Sequence, residues 1–307
     1  MTDALVIGSG PGGSAVALAL LERGLHVTMV ERGEPLERSE SNRDSKKNFQ
    51  DKAYRTTERW TDQDGAEFQP WMHYYLGGNA KLYGAALYRF RPADFGELEY
   101  TDGLSPAWPI TYDDLAPHYD RAEELYHVHG DRDADPTEPT KKPFPHAPLE
   151  DEPFLADLRK TLGIQNHPLP LGVDLTPEDD AGFEVRLDRF DPYPDPSFAK
   201  SDPESRIFAK LQSYGDQFVL HTGWYAETLI VEPGNHISGA RNTAGEELRA
   251  GTTYCAAGAI NSAALFLRTE DRHPEFAAPS GLVGTNYMAH LCSTASAIFE
   301  TPHEVSF

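Results

Sequence analysis

A short apolar run closed by glycines, an apolar helix behind them and a second apolar run ending in an acid predict an α/β fold with a three-layer Rossmann-like domain. The first run is Ala4-Leu5-Val6-Ile7, ended by Gly8. Gly12 to Glu22 then places Ala15, Leu18, Ala19 and Leu21 at helical spacing, and Gly24 closes the segment. Leu25 to Val30 reads as a buried strand with Glu31 at its end. Glu34 to Gln69 is dense in charge and carries no clear strand. Thr111, with Asp114 three positions later, opens a helix expected to reach about Tyr126. From Asp131 to Asp202 proline and aspartate abound, so irregular, surface-following chain is expected. A helix near Pro203 to Tyr214, short strands from Phe218 onward, a last strand at Thr252 to Ala256 and a helix from Ile260 to about Arg268 complete the pattern.

Composition narrows the function classes. The 307 residues allow about two domains, and 39% hydrophobic residues suffice for a sizeable core. No apolar run approaches the roughly 18 residues that would cross a bilayer. The N-terminus has no basic region followed by a cleavage pattern, so a cytoplasmic protein without a membrane partner is expected. Cys255 and Cys292 are the two cysteines, which excludes a disulfide scaffold and a multi-cysteine metal site. Against 27 basic side chains stand 49 acidic ones, a net charge of −22. Such a surface repels phosphate backbones, so no nucleic acid partner is expected. Excess carboxylate with scarce lysine is a halophilic-type balance, because salt screens the self-repulsion.

The chemistry begins at Gly8-Ser9-Gly10-Pro11-Gly12-Gly13, a G-x-G-x-x-G match lying between a strand and a helix, as the motif requires. Gly8 permits the tight turn, Gly10 lets the backbone approach a diphosphate, and Gly13 lets the helix pack on the strand. The helix start offers unpaired N–H groups and a partial positive charge to the anion. Glu31 follows Gly8 at the spacing expected of the carboxylate that accepts from a ribose diol. Arg32 next to it could suit a 2′-phosphate, but Glu31 would repel that group, so FAD or NAD is favoured over NADP. This pattern specifies an FAD/NAD(P)-binding domain and leaves an NAD-dependent dehydrogenase as an alternative. His127 and His129 could chelate a metal at strand spacing, but no third ligand is identifiable, so no metal is expected.

Three further segments resemble the glucose–methanol–choline (GMC) oxidoreductases. Leu76-Gly77-Gly78-Asn79-Ala80-Lys81-Leu82-Tyr83-Gly84 through Arg89 is similar to the family's glycine loop beside the flavin. Ser105-Pro106-Ala107-Trp108-Pro109-Ile110 with Tyr119, Ala122 and Glu123 is similar to the segment that follows it. Ala257-Gly258-Ala259-Ile260-Asn261-Ser262-Ala263-Ala264-Leu265-Phe266-Leu267 resembles the second signature, with Ala263 where Pro or Ser is usual.

The resemblance implies an FAD-dependent enzyme oxidising the CH–OH group of alcohols, polyols or sugars, with hydride passed to flavin N5. It implies cofactor contacts from Gly8, Ser9, Gly10, Pro11, Gly12, Gly13, Glu31 and Arg32, from Gly77, Gly78 and Asn79, from Ala226 beside the adenine, and from Ala257 and Gly258. Leu82 stands where relatives with tethered flavin carry His, which implies non-covalent FAD. The implied organisation is an FAD-binding domain from 1–90 and 203–285, an irregular insertion opening a substrate domain at 91–202, and a further substrate-domain segment from 286–307. The resemblance covers the family's N-terminal portion. The catalytic base is expected outside this sequence, on a second polypeptide or a continuation, and His290 is not assigned to it. The implied partners are a small alcohol or sugar and an electron acceptor of unassigned identity. A non-catalytic truncated or split-gene fragment is the other alternative.

Overall fold

The computed structural model describes residues 2–62, 64–101, 103–163, 167–274, 276, 281–285 and 287. These form two compact units, one of 2–82 with 202 onward, the other of Tyr83–Ser201.

The elements in chain order are β1 (Ala4–Ile7), α1 (Pro11–Leu21), β2 (Val27–Val30), α2 (Tyr112–Leu125), α3 (Pro153–Leu162), α4 (Ala209–Gln212), β3 (Phe218–His221), β4 (Ala226–Glu232), β5 (His236–Asn242), β6 (Glu247–Arg249), β7 (Thr252–Cys255) and α5 (Ala259–Arg272). In the first unit, β1 and β2 bury every side chain; β1 accordingly reads as an unbroken apolar run, whereas β2 alternates and carries a buried Thr28. They form the centre of a parallel sheet in the order β7-β1-β2-β3. One face of that sheet takes α1, whose Ala17, Leu18 and Leu21 are buried. On the other, Leu5, Ile7 and Val30 pack with Trp224, Ala226, Leu229, Ala240 and Leu265. Those partners come from the antiparallel sheet β4-β5-β6, the approach to it and α5. Helix, parallel sheet and antiparallel sheet are thus the three expected layers. The buried Thr269 hydroxyl ties α5 to β4, donating to the Leu265 carbonyl and accepting from the Leu229 N–H.

The second unit holds α2 and α3. Thr111 and Asp114 close a reciprocal cap on α2, as expected. Helix α3 corrects the expectation of irregular chain across 131–202. Its Phe154, Leu155, Leu158 and Leu162 recur at helical spacing between Pro153 and Gly163, although none of its residues is buried. The charge-dense stretch after Glu34 also has structure that was not expected. A π-wound turn covers Lys46–Gln50, and Trp60–Thr61 pairs with Glu67–Phe68. Helix α5 runs to Arg272, beyond the expected end.

Candidate functional site

The first turn of the first unit is built by steric exclusion. Gly8 has φ +104°, which side chains rarely adopt, and a Cβ there would lie 2.4 Å from the Ala256 carbonyl oxygen. A Cβ on Gly13 would lie 1.9 Å from the Gly8 carbonyl oxygen, so α1 can close onto the turn only without one. Gly10 and Gly12 differ: a Cβ on either meets nothing within 4 Å. Gly10 is the N-cap of α1, with no side-chain capping bond and no acid in the first turn, and Pro11 sits at N1. The amides there have no intrahelical acceptor.

Glu31 is buried just past β2. Its Oε2 accepts from the Ser9 N–H at 3.0 Å and the Ser9 hydroxyl at 2.6 Å, and its Oε1 accepts from the Gly33 N–H at 2.9 Å. A carboxylate has about four acceptor directions, so one on Oε1 remains. Ser9 is fully buried; its carbonyl accepts from Ser14 Oγ and its hydroxyl accepts from the Gly77 N–H at 2.9 Å. The N–H, hydroxyl and carbonyl of Ser9 are therefore all engaged within the protein. Ser9 thereby braces the loop from within.

The second glycine loop meets the first directly, since a Cβ on Gly78 would lie 3.2 Å from Gly10 Cα. Asn79 Oδ1 accepts from the His73 N–H at 2.9 Å, so that side chain braces its own loop. Beneath Gly77, fully buried Lys81 pairs with Asp202 at 3.1 Å and with Glu204. Burial pulls the Lys81 pKa down, but the two carboxylates outweigh it and leave it raised. Asp202 also accepts from the Glu204 and Ser205 amides, anchoring the loop to the next helix.

The Arg32 guanidinium is engaged within the protein. It donates to Glu58 at 2.6 Å and lies between the rings of Tyr74, 3.5 Å from the centroid, and Tyr225, 4.2 Å away. Burial raises the Glu58 pKa, yet the bonds from Arg32 and Tyr74 hold it below the usual range. Burial, then the Glu58 bond, pushes Tyr74 up to about 12.

Ala226 is buried in the core cluster at the start of β4. Ala257 approaches Gly8, the Cβ built there lying 3.1 Å from its Cα, and Gly258 caps α5 with open space at its Cβ position. Close approaches and hydrogen bonds thus bring Gly8, Ser9, Gly10, Gly13, Glu31, Gly77, Gly78 and Ala257 together. Lys81, Asp202, Glu58, Tyr74 and Tyr225 were missed by sequence reading, because their partners are remote in sequence and leave no spacing signal.

In the second unit His146 stacks on His129 at 4.7 Å, and Asp174 lies 3.5 Å from His127 Nδ1. His129 Nδ1 lies 2.7 Å from the Ala147 carbonyl, and among the described residues no cluster could hold a metal. Arg89 lies in this unit's ion-pair network. His290 lies outside the described residues.

Sheet order, glycine turn and terminal acid together define a protein of the FAD/NAD(P)-binding Rossmann-like class. No protein-family model matches the chain. It is 32% identical over 294 residues to the 6'''-hydroxyparomomycin C oxidase of Streptomyces lividus, covering 87% of this chain and 50% of that protein. With the paromamine 6'-oxidase of Streptomyces fradiae it shares 30% identity over 98% of this chain and 56% of the relative. A 2-methyl-1,2-propanediol dehydrogenase of Mycolicibacterium austroafricanum is 35% identical over 42% of this chain and 25% of its own length. Among solved structures, pyridoxine 4-oxidase from Mesorbium loti superposes with a TM-score of 0.58 at 17% identity, over 88% of this chain and 52% of that one, which shows the shared fold. The chain belongs to the GMC oxidoreductase family. It spans about half the length of the first two relatives, as fits the family's N-terminal portion.

Proposed function

We propose that the chain is the nucleotide-binding portion of an FAD-dependent oxidoreductase acting on the CH–OH group of an alcohol, polyol or sugar. The carrying observation is the contrast among the glycines of one turn: Gly8 and Gly13 are excluded from bearing a Cβ by the fold itself, while Gly10 and Gly12 leave room that the fold does not use. An adenosine diphosphate fits these residues. The α1 amides would take the diphosphate, and the spare acceptor direction of Glu31 would take a ribose hydroxyl. Gly77 and Gly78 would run beside the flavin, with Ala257 and Gly258 on the opposite side of the first turn. Bound flavin supplies a hydride acceptor. In this reading, 1–90 and 203–285 are the FAD-binding domain, and 91–202 and 286–307 belong to the substrate domain. Buried Leu82 has no nucleophilic nitrogen, which supports dissociable FAD.

Gly10→Ala tests the reading. Gly10 has φ −63°, and a methyl there meets nothing, so the melting temperature should stay unchanged. FAD affinity, followed by flavin fluorescence, should fall by roughly tenfold or more because the methyl occupies the space for the diphosphate. Unchanged affinity, or binding of NAD in preference to FAD, would overturn it.

A further inference from the structure

Ser9 occupies a variable position of the glycine motif, yet it has the densest connections in the site. Its hydroxyl has one proton and two lone pairs. Glu31 is acceptor-only when ionised, so at 2.6 Å the Ser9 proton points to Oε2. The Gly77 N–H, 2.9 Å away, then donates to the Ser9 oxygen. The chain Gly77 N–H to Ser9 O–H to Glu31 carboxylate therefore has one donor direction throughout. Ionised Glu31 polarises the hydroxyl and makes it a better acceptor for Gly77. The Ser9 N–H and the Ser14 hydroxyl hold the residue so that neither bond can be traded for solvent.

We infer that Ser9 is a positioning residue that couples the two halves of the cofactor site, orienting Glu31 for the adenosine half and pinning Gly77 for the flavin half. The inference rests on the proposed FAD site and adds a property to it: the two halves do not bind independently. Ligation at Glu31 bears on the loop at Gly77 through one hydroxyl, and by linkage the reverse holds. An alanine keeps the Ser9 N–H bond to Glu31 and the Gly33 bond, so the adenosine half loses little. The Gly77 amide is left buried without an acceptor, so the flavin half loses more.

The test is Ser9→Ala with two probes, FAD and ADP, titrated against the full chain. FAD affinity should fall by roughly tenfold more than ADP affinity. An equal loss for both, or no loss, overturns the inference and marks Ser9 as packing only. Wild-type protein binding neither probe would instead refute the site itself. Amide exchange gives a second readout that needs no ligand. Gly77 should exchange slowly in the wild type and faster in Ser9→Ala, while β1 amides stay protected. Equal Gly77 exchange in both proteins also overturns the coupling.

Discussion

The two units hold themselves together by different means. The first rests on aliphatic strands and on backbone approach so close that single methyl groups are forbidden. The second is organised around buried charge. Arg89 makes a bidentate pair with Glu123, at 2.7 Å to each oxygen, and reaches Asp120 and the Tyr112 hydroxyl. Arg132 shares Glu123 and also pairs with Glu138, which Arg91 contacts as well. In the same unit, the ammonium of Lys200, 1% exposed, donates to the carbonyls of Tyr83, Phe190 and Tyr193. Aliphatic strand packing loses stability in proportion to the volume removed. A buried ionic network fails at once when one member is removed, because its partners are left charged and dry. The difference predicts where each unit breaks.

The largest effect should come from Glu123→Ala, which strands Arg89 and Arg132 together. Such a loss costs about 3–5 kcal/mol, and amide exchange should show the second unit opening while β1 and β2 stay protected. Equal loss in both units would erase the contrast. Gly13→Ala should do the converse, costing about 1–3 kcal/mol by overpacking and loosening α1 while leaving the Arg89 network intact. Acid should act on the second unit more gently. Burial raises the pKa of Asp120 and Asp135, but hydrogen bonds from Arg89 and Lys142 to the first, and from Thr137 to the second, leave both lowered. Carboxyls lowered in the folded state contribute stability above their unfolded pKa, and that stability is lost as pH falls through the folded values. Exchange in the second unit should therefore rise below about pH 4. The same onset in Asp120→Asn would break the link to that carboxyl.

How much of this was legible follows the same division. The strand-turn-helix-strand of the first unit could be read because β1 is a continuous apolar run and β2 a largely apolar one, and because Gly8 and Gly13 have no substitute. The Thr111–Asp114 cap was legible as a local pair. The Arg89, Glu123, Arg132 and Glu138 network was not, since its members are scattered over fifty positions of a charge-rich sequence. In the candidate site, Gly8, Gly10, Gly13 and Glu31 were read from spacing, and Gly77, Gly78 and Gly258 from the family resemblance. Ser9 was named for the cofactor, but its bracing role was not legible, because the direction of its hydroxyl depends on Gly77, 68 residues away. Arg32 was weighed for phosphate, whereas Glu58 and two tyrosine rings already occupy its guanidinium.

Each unit carries one buried lysine, Lys81 in the first and Lys200 in the second. The other seven lysines are exposed or half-buried, so a mild amine-reactive reagent should mark those seven and spare these two. The pair then serves as a built-in footprint. Acylation at Lys81 reports that the glycine loop has let go, and acylation at Lys200 reports that the charged unit has opened, both readable by mass in one sample.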